Sequence, residues 1–291
     1  MNEYLENLEL HLTSPRERAP GTISGYLGTA SRFLKWLGDR VPPSENDLRR
    51  YFLERSKDGI SPRTRGTEFV QLKKLYKAND WTWSLEKEDR PIPKEDPFAP
   101  AFSADEVIHI INARGKYTPQ ESFYLAVATT YGTRSGEIGA ITSRNIHDGA
   151  ITIMIEKSHG RRRHHLIPDE ILPVISAWHP KAREQRAMSY SFQKIMAKSG
   201  LGERSRWGFH AFRRTVQTML EINLAKNNLP PSYAAQWMGW AKTSIGARYS
   251  QAPMAGVYTH TEILSNDDPF YFDRLIYRVH PFLPPWAQAE E

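Results

Sequence analysis

A segment dense in proline divides this chain of 291 residues. Four prolines lie among the eleven residues 90–100. Because proline fixes φ and lacks an amide hydrogen, this density excludes helix and favours an extended, semi-rigid connector. The length also suits two domains better than one. We predict an N-terminal domain, a linker, a second domain and a C-terminal tail, over residues 1–90, 91–102, 103–265 and 266–291.

The composition excludes several classes of protein. The chain has no cysteine, so disulfides, thiolate metal sites and a cysteine nucleophile are ruled out. No run approaches the roughly 18 apolar residues of a membrane helix, and the acidic, amphipathic start differs from a signal or transit peptide. We therefore expect a soluble, cytoplasmic protein without a membrane partner.

Positive charge is concentrated in one part of the chain. The formal net charge is +6, yet residues 157–214 carry 13 Lys or Arg against 4 Asp or Glu. Residues 250–291 carry 2 against 6. A basic stretch of this kind indicates either a nucleic-acid interface or a solvated basic surface, and charge alone does not separate the two.

Caps and apolar periodicity predict three helices before the linker. Thr22 and Ser44 can cap the first two, and Ser61 precedes a proline at the first position of the third. Because apolar residues follow each cap at helical spacing, the N-terminal domain is predicted to be an all-helical bundle. The third helix also carries basic residues that either contact phosphate or form a solvated face: Arg63, Arg65, Lys73, Lys74 and Lys77.

The second domain combines helices with two short strands. Residues 103–106 form a capping-box motif, and residues 121–130 are a further helical run. The segments 150–155 and 164–167 are predicted strands, with the polar stretch 156–163 as the hairpin between them. We therefore predict a mainly α fold with a small antiparallel β-sheet, in the α+β class.

The residues able to carry chemistry are dispersed along the second domain. The sequence contains no Walker loop, no GxSxG, no HExxH and no dinucleotide-binding fingerprint. What remains is a set of basic, aromatic and imidazole side chains within short motifs: Arg134, Lys157, His210, Arg213, Trp240 and Tyr249. This set suits a phosphodiester, because arginine offers a planar fork to phosphate oxygens and stays charged at any working pH.

Each kind of side chain in the set has a chemical use at a phosphate. A tyrosine nucleophile, with a reference pKa of about 10, needs a base or a strongly positive site to attack at neutral pH. His210 and Arg213 are three positions apart, so on a helix they share one face. A lysine on a hairpin can protonate a leaving oxygen. Because arginines can stabilise the transition-state charge, we expect no metal and no cofactor.

Five motifs in this order and spacing resemble the tyrosine recombinase (phage-type integrase) family over nearly the whole chain. They begin with Arg134-Ser-Gly-Glu137, and Lys157 follows 23 positions after Arg134. His210-Ala-Phe-Arg213 comes next, followed by Gly239-Trp240. Tyr249 lies nine positions after Trp240. The resemblance implies a helical core-binding domain before the linker and a recombinase catalytic domain after it.

The resemblance also implies a role for each residue of the set. Tyr249 would attack the scissile phosphate and form a 3′-phosphotyrosyl bond. Arg134 and Arg213 would bind the phosphate oxygens. His210 would assist removal of the tyrosine proton, and Lys157 would protonate the leaving 5′-oxygen.

Further residues take supporting roles by the same resemblance. Trp240 occupies a position that is histidine in most relatives, where it either donates one indole hydrogen bond and packs on the tyrosine or is plain core. Glu137 is expected to support the turn that carries Arg134. Additional DNA contacts are expected from basic residues of the second domain: Arg161, Arg162, Arg163, Arg214 and Lys242.

Two assignments have rivals within the sequence. Tyr258, in Val-Tyr-Thr-His260, also resembles the surroundings of the nucleophile in relatives. The position nine residues before Tyr258 is Tyr249 rather than tryptophan or histidine, so the spacing favours Tyr249 as the nucleophile. The tail either docks onto a neighbouring protomer, as in relatives, or packs on its own domain.

The function expected from these features is site-specific recombination. Such an enzyme cleaves and rejoins duplex DNA without metal or ATP, in integration, excision or resolution. Its expected partner is duplex DNA with a specific recombination site, and four copies of the chain are expected to assemble on two paired sites. Without DNA, the chain is expected to be a monomer or weak oligomer. It is expected to associate with the nucleoid only when bound to DNA. The alternatives are a type IB topoisomerase-like enzyme and a DNA-binding protein without catalysis.

Overall fold

In the computed structural model, the chain forms two compact units. The described residues are 3–14, 18, 20–92, 100–155, 162–202, 204, 207–239 and 268–288. One unit spans Met1–Phe98 and the other spans Ala99–Glu291. The boundary falls inside the segment 91–102, and each unit has its own hydrophobic core.

The first unit is a helical bundle. Its described helices are α1 (Glu3–Thr13), α2 (Pro20–Leu37), α3 (Glu45–Lys57) and α4 (Pro62–Ala78). Ser44 and Ser61 cap α3 and α4, each accepting a hydrogen bond from a backbone amide of the first turn. Thr22 is not a cap, because α2 already begins at Pro20. The apolar stripes of the four helices meet in one core.

The second unit consists mainly of helices around one small sheet. The helices before the sheet are α5 (Ala104–Asn112), α6 (Pro119–Tyr131) and α7 (Ser135–Gly139). The helices after it are α8 (Leu172–Ser176), α9 (Gln185–Ser199), α10 (Phe209–Lys226), α11 (Ser232–Trp237), α12 (Tyr271–Tyr277) and α13 (Pro284–Ala287). Among the described helices of both units, none has the length and apolarity needed to cross a membrane. The predicted fold class is confirmed.

The sheet of the second unit is antiparallel, in the order β1-β2-β3. Its strands are β1 (Ile146–His147), β2 (Ala150–Met154) and β3 (Arg162–Leu166). β2 and β3 are the two predicted strands, although β3 begins two residues before the predicted 164. The alternation along β3 buries Arg163 and His165 and leaves Arg162 and His164 exposed.

α6 is the central helix of the second unit. Thr118 caps it through a capping box, and Gly132 ends it in the left-handed conformation with φ 56°. Every residue of 123–131 is buried, so this part of the helix is enclosed on all sides. Because the core encloses it, the C-terminal end of α6 has a fixed position directly before the Arg134 motif.

The described part of the tail packs on its own unit. Asp273 on α12 accepts hydrogen bonds from the backbone amide of Leu166 (2.6 Å) and lies 3.1 Å from the Nδ1 atom of His165. His280 hydrogen-bonds the carbonyl of Thr130 at 3.0 Å. These buried polar contacts fix residues 268–288 to β3 and α6. The described part of the tail thus packs on its own unit, and docking of the tail onto a neighbouring protomer stays a prediction.

The buried imidazole of His280 predicts that acid destabilises the second unit. Burial lowers the pKa of His280 from 6.5 to about 4. The unfolded chain, with the ordinary pKa, takes up a proton more readily than the folded chain. The contribution of neutral His280 to the free energy of unfolding is therefore complete above pH 6.5. It is lost as the pH falls toward 4, and this loss reaches about 3 kcal/mol.

The measurement for His280 is urea unfolding as a function of pH. We expect the free energy of unfolding to fall between about pH 7 and about pH 4.5, and the His280→Gln variant to show a flatter fall. The exposed His179 supplies the control, because His179→Gln should retain the wild-type slope. An unchanged slope in His280→Gln would contradict the prediction.

Candidate active site

The Arg134 motif forms the N-terminus of α7, and its side chains meet at the carboxylate of Glu137. Arg134 is the N-cap residue of α7, and the carboxylate of Glu137 accepts a hydrogen bond from its backbone amide at 2.9 Å. The same carboxylate accepts from the Nη1 atom of Arg134 at 2.5 Å. Because Glu137 is only 1% exposed, this carboxylate is fixed, and it fixes the guanidinium of Arg134.

Two further guanidinium groups approach the same carboxylate. The Nη2 atom of Arg163 lies 3.4 Å from Oε2 of Glu137, and the Nη1 atom of Arg213 lies 3.9 Å from it. Arg163 is 6% exposed and Arg213 is 1% exposed. Three guanidinium groups therefore surround one carboxylate, and the cluster of Arg134, Glu137, Arg163 and Arg213 carries surplus positive charge. We call these four residues the arginine cluster.

Arg163 and Arg213 also join the ends of two helices. Each donates to one backbone carbonyl at the C-terminal end of α6 and to one at the end of α11. Arg213 donates to Gly132 at 2.5 Å and to Met238 at 3.0 Å. Arg163 donates to the carbonyls one position earlier, those of Tyr131 and Trp237, both at 3.0 Å. Carbonyls at helix C-terminal ends lack partners within the helix, and arginine satisfies them here.

Burial makes the positive charge of the arginine cluster costly. Removal from water and, to a smaller extent, the charge of Arg134 lower the pKa of Arg213 to about 9. Removal from water also lowers the pKa of Arg163 to about 10, against the favourable effect of Glu137. Both side chains still carry a proton at neutral pH. A buried site with more guanidinium than carboxylate charge is stabilised by an anion.

His210 lies one turn before Arg213, in the first turn of α10. Its side chain is exposed, whereas Arg213 faces the core. The side chain of Arg134 is also partly open to solvent, at 25% exposed. The described site therefore combines a buried arginine, a partly exposed arginine and a solvent-accessible imidazole. Arg134 and His210 are thus the groups of the described site that are open to solvent.

Five of the predicted site residues lie outside the described residues. They are Lys157, Arg161, Trp240, Lys242 and Tyr249, and the rival Tyr258 also lies there. The described chain reaches Gly239, directly before Trp240, with φ 69°. A Cβ atom at this position would lie 2.7 Å from Cδ of Arg163, so both the backbone conformation and the packing require glycine.

The arginines of β3 and α10 divide into exposed and buried positions. Arg162 is exposed. The sequence predicts a DNA contact for Arg163, but the strand alternation turns this residue inward, where its guanidinium donates to buried acceptors. Arg214 is half-buried and donates to the carbonyl of Pro100 at 2.8 Å. Only Arg162 is fully on the surface among the three.

The basic residues predicted in the first unit lie on α4. Arg63 and Lys73 are exposed, and Arg65 and Lys74 are half-buried. Arg65 donates through Nε to the carbonyl of Ile60 at 3.1 Å, which leaves its remaining donors for other partners. A cavity of about 650 Å³ lies beside the helix, and its lining includes Lys73, Lys74, Lys77, Trp81 and Trp83. These positions form a basic surface on this unit.

One supporting contact could not be found from the sequence. Asp273 binds β3 through His165, and the ring of His165 lies 4.1 Å from the ring of Trp237. The carbonyl of Trp237 is an acceptor of Arg163. The contact between Asp273 and His165 spans 108 positions, and no local pattern signals it.

In the described residues, no group of three or more His, Asp or Glu side chains is placed to hold a metal ion.

Solved structures share this architecture, whereas no protein-family model and no curated protein sequence matches the chain. A lambda integrase dimer bound to a COC′ core site matches with a TM-score of 0.65 and 15% identity, over 84% of this chain and 75% of that chain. A lambda integrase tetramer bound to a Holliday junction matches with a TM-score of 0.65 and 14% identity, over 84% and 75%. The Tn1549 transposon integrase in complex with transposon right end DNA matches with a TM-score of 0.58 and 14% identity, over 90% and 99%.

These matches define the class of the fold. The neighbours are integrases, and the fold they share with this chain is that of tyrosine recombinases, which the sequence motifs also resemble.

Proposed function

We propose that the chain is a tyrosine site-specific recombinase, which cleaves and rejoins duplex DNA through a 3′-phosphotyrosyl intermediate. The observation that carries this proposal is the arginine cluster, whose surplus positive charge is buried beside the accessible groups of Arg134 and His210. The integrase fold supports it, because the two lambda integrase neighbours are bound to a core site and to a Holliday junction in their crystal structures.

The arginine cluster suits the recognition of a phosphodiester. In the proposed reaction, Arg134 and Arg213 bind the nonbridging oxygens of the scissile phosphate and stabilise the charge that builds up on them. Glu137 holds Arg134 in a single orientation, so little reorganisation is needed when DNA binds. Arg213 is fixed by its two carbonyl contacts in the same way.

The chemical step is a transesterification at phosphorus. The phenolic oxygen of Tyr249 forms a bond to the scissile phosphorus while the bond from phosphorus to the 5′-oxygen breaks. His210 assists departure of the phenolic proton, and Lys157 protonates the 5′-oxygen. A 5′-hydroxyl of a partner strand then attacks the phosphotyrosine and releases Tyr249. The number of phosphodiester bonds is unchanged, so the reaction requires no ATP.

The proposed partner is duplex DNA that carries a specific recombination site. One of the neighbours is a tetramer on a Holliday junction, and we propose the same stoichiometry for this chain when two sites are paired. The basic face of α4, the exposed Arg162 and the half-buried Arg214 supply further positive charge for the phosphate backbone. Binding should accordingly weaken steeply as salt increases.

The first test is covalent attachment to DNA. A duplex from the DNA that flanks the gene, nicked close to the cleavage point, prevents religation and accumulates the intermediate. We expect an adduct between protein and DNA that survives denaturant, with a free 5′-hydroxyl on the other strand end. Tight binding to the same duplex without any adduct would contradict the proposal and favour a DNA-binding protein without catalysis.

A second test separates recombination from topoisomerase activity. A type IB topoisomerase-like enzyme relaxes supercoiled DNA that lacks any special site, whereas a site-specific recombinase exchanges strands between two copies of one site. We expect joint products from two labelled duplexes that share the site, and none when one duplex carries an unrelated sequence. Relaxation without strand exchange would favour the topoisomerase alternative.

A further inference from the structure

Arg163 connects three of the chain segments that carry the motifs. Its Nη1 atom donates to the carbonyl of Tyr131, just before the Arg134 motif, and to the carbonyl of Trp237, just before Gly239-Trp240. Its Nη2 atom lies 3.4 Å from the carboxylate of Glu137. Arg163 itself lies on β3, six positions after Lys157. A single guanidinium group therefore joins these three parts.

We propose that Arg163 is a positioning residue of the recombinase active site, which sets the places of Arg134 and of the chain that enters Gly239-Trp240. This role rests on the proposed function of the chain. It differs from the phosphate contact proposed for Arg134, because the guanidinium of Arg163 is buried, its Nη1 atom donates to two carbonyls and its Nη2 atom donates to the carboxylate of Glu137. Arg163 acts through the residues that it holds.

The geometry explains why this residue is an arginine. A planar fork can serve two carbonyls and a carboxylate together, whereas the ammonium group of lysine is a compact point charge that cannot span them. The Nε atom of Arg163 has no hydrogen-bond acceptor among the described residues.

The charge of Arg163 also affects the other arginines. Glu137 is the only carboxylate in the arginine cluster, and Arg163 shares it with Arg134 and Arg213. Because three cations divide one anion, the charges of Arg134 and Arg213 are only partly neutralised by the residues that the structure describes. The presence of Arg163 thus keeps these two arginines in need of an external anion.

The stem of Arg163 is in direct contact with the entry to the last motifs. A Cβ atom added to Gly239 would lie 2.7 Å from Cδ and 3.2 Å from Cγ of Arg163. The glycine and the arginine stem therefore fit against each other without space for a side chain. A shift of Arg163 moves the backbone from which Trp240 and Tyr249 follow.

The test compares Arg163→Met and Arg163→Lys with wild type in single-turnover cleavage of the nicked duplex. Arg163→Met retains a long side chain without charge, and Arg163→Lys retains the charge without the fork. We expect the cleavage rate constant to fall about 100-fold in Arg163→Met, because small displacements of reacting groups have effects of this size. We expect Arg163→Lys to restore little of the rate.

DNA affinity as a function of salt distinguishes positioning from phosphate contact. A direct phosphate contact contributes about 1 to the slope of log affinity against log salt concentration. We expect both Arg163 variants to bind the duplex with the wild-type slope. The control is Arg144→Gln, which removes an exposed arginine outside the site and should leave cleavage unchanged. All assays are run well below the melting temperature of each variant.

Several outcomes would overturn the positioning role. Cleavage at the wild-type rate in Arg163→Met, full activity in Arg163→Lys, or a slope lowered by about 1 would each do so. If Arg163→Met does not fold, the folded Arg163→Lys variant decides by the same two readouts. A wild-type chain that forms no adduct would instead refute the proposed function, so the two failures are distinct.

Discussion

Replacing Tyr249 with phenylalanine is expected to abolish covalent attachment to DNA. Phenylalanine retains the ring and removes only the hydroxyl group, which is the proposed nucleophile. The single-turnover rate of adduct formation should fall by at least about 10⁴-fold, as is usual when a nucleophile is removed. DNA affinity should remain close to that of wild type, because the arginines that bind phosphate are unchanged. The measurement is adduct formation on the nicked duplex together with a binding titration.

Tyr258→Phe is the matched control for this prediction. It makes the same chemical change at the rival tyrosine nine positions further along the chain. We expect adduct formation close to the wild-type rate in this variant. If Tyr249→Phe retained the adduct and Tyr258→Phe lost it, the register that relates Gly239-Trp240 to the nucleophile would be wrong.

Removing the charge of Glu137 is expected to destabilise the second unit strongly. In Glu137→Gln, the guanidinium groups of Arg163 and Arg213 remain buried without their carboxylate, and Arg134 loses its anchor. Loss of one partner from a buried ion pair typically costs about 3–5 kcal/mol. We expect a decrease of this size in the free energy of unfolding. Hydrogen exchange of peptides from α6 and α10 in increasing urea measures it for this unit.

The control for Glu137→Gln is Glu184→Gln. Glu184 is exposed, and its side chain makes no capping hydrogen bond to α9. A surface change of this kind alters stability by less than about 0.5 kcal/mol. An equally small effect for Glu137→Gln would show that the carboxylate does not hold the arginine cluster together.

Local sequence signals accounted for five of the described helices, α2 to α6. Ser44, Ser61 and Ser103 each precede a helix whose first turn donates a hydrogen bond back to them, and such caps depend only on neighbouring residues. The proline-dense segment 90–100 likewise excludes helix through the local effect of proline on the backbone. The prediction of Thr22 as a helix cap is wrong, because proline is tolerated in the first turn of a helix and α2 begins at Pro20.

The role of Arg163 could not be predicted from composition. Three consecutive arginines at 161–163 look alike in the sequence, and arginine is rarely buried. The register of β3, in which Arg163 pairs with Ile153, decides which of them faces the interior. The buried guanidinium of Arg163 then donates to the backbone carbonyls of Tyr131 and Trp237, which offset the cost of its burial. No side-chain motif reveals these backbone acceptors.

The packing of the tail was also beyond the sequence. His280 and Thr130 are 150 positions apart, and their contact depends on the completed core. The apolar residues of the tail suit either its own unit or a neighbouring protomer equally well. The sequence therefore leaves both alternatives open, and it gives no sign of the buried partners that Asp273 and His280 have within the unit.

The most direct test of the central claim is to identify the amino acid that carries the DNA. The trapped adduct would be digested with protease and nuclease, and the peptide with the residual nucleotide sequenced by mass spectrometry. The account predicts a nucleotide linked through its 3′-phosphate to Tyr249. Linkage to another residue, or through a 5′-phosphate, would contradict it.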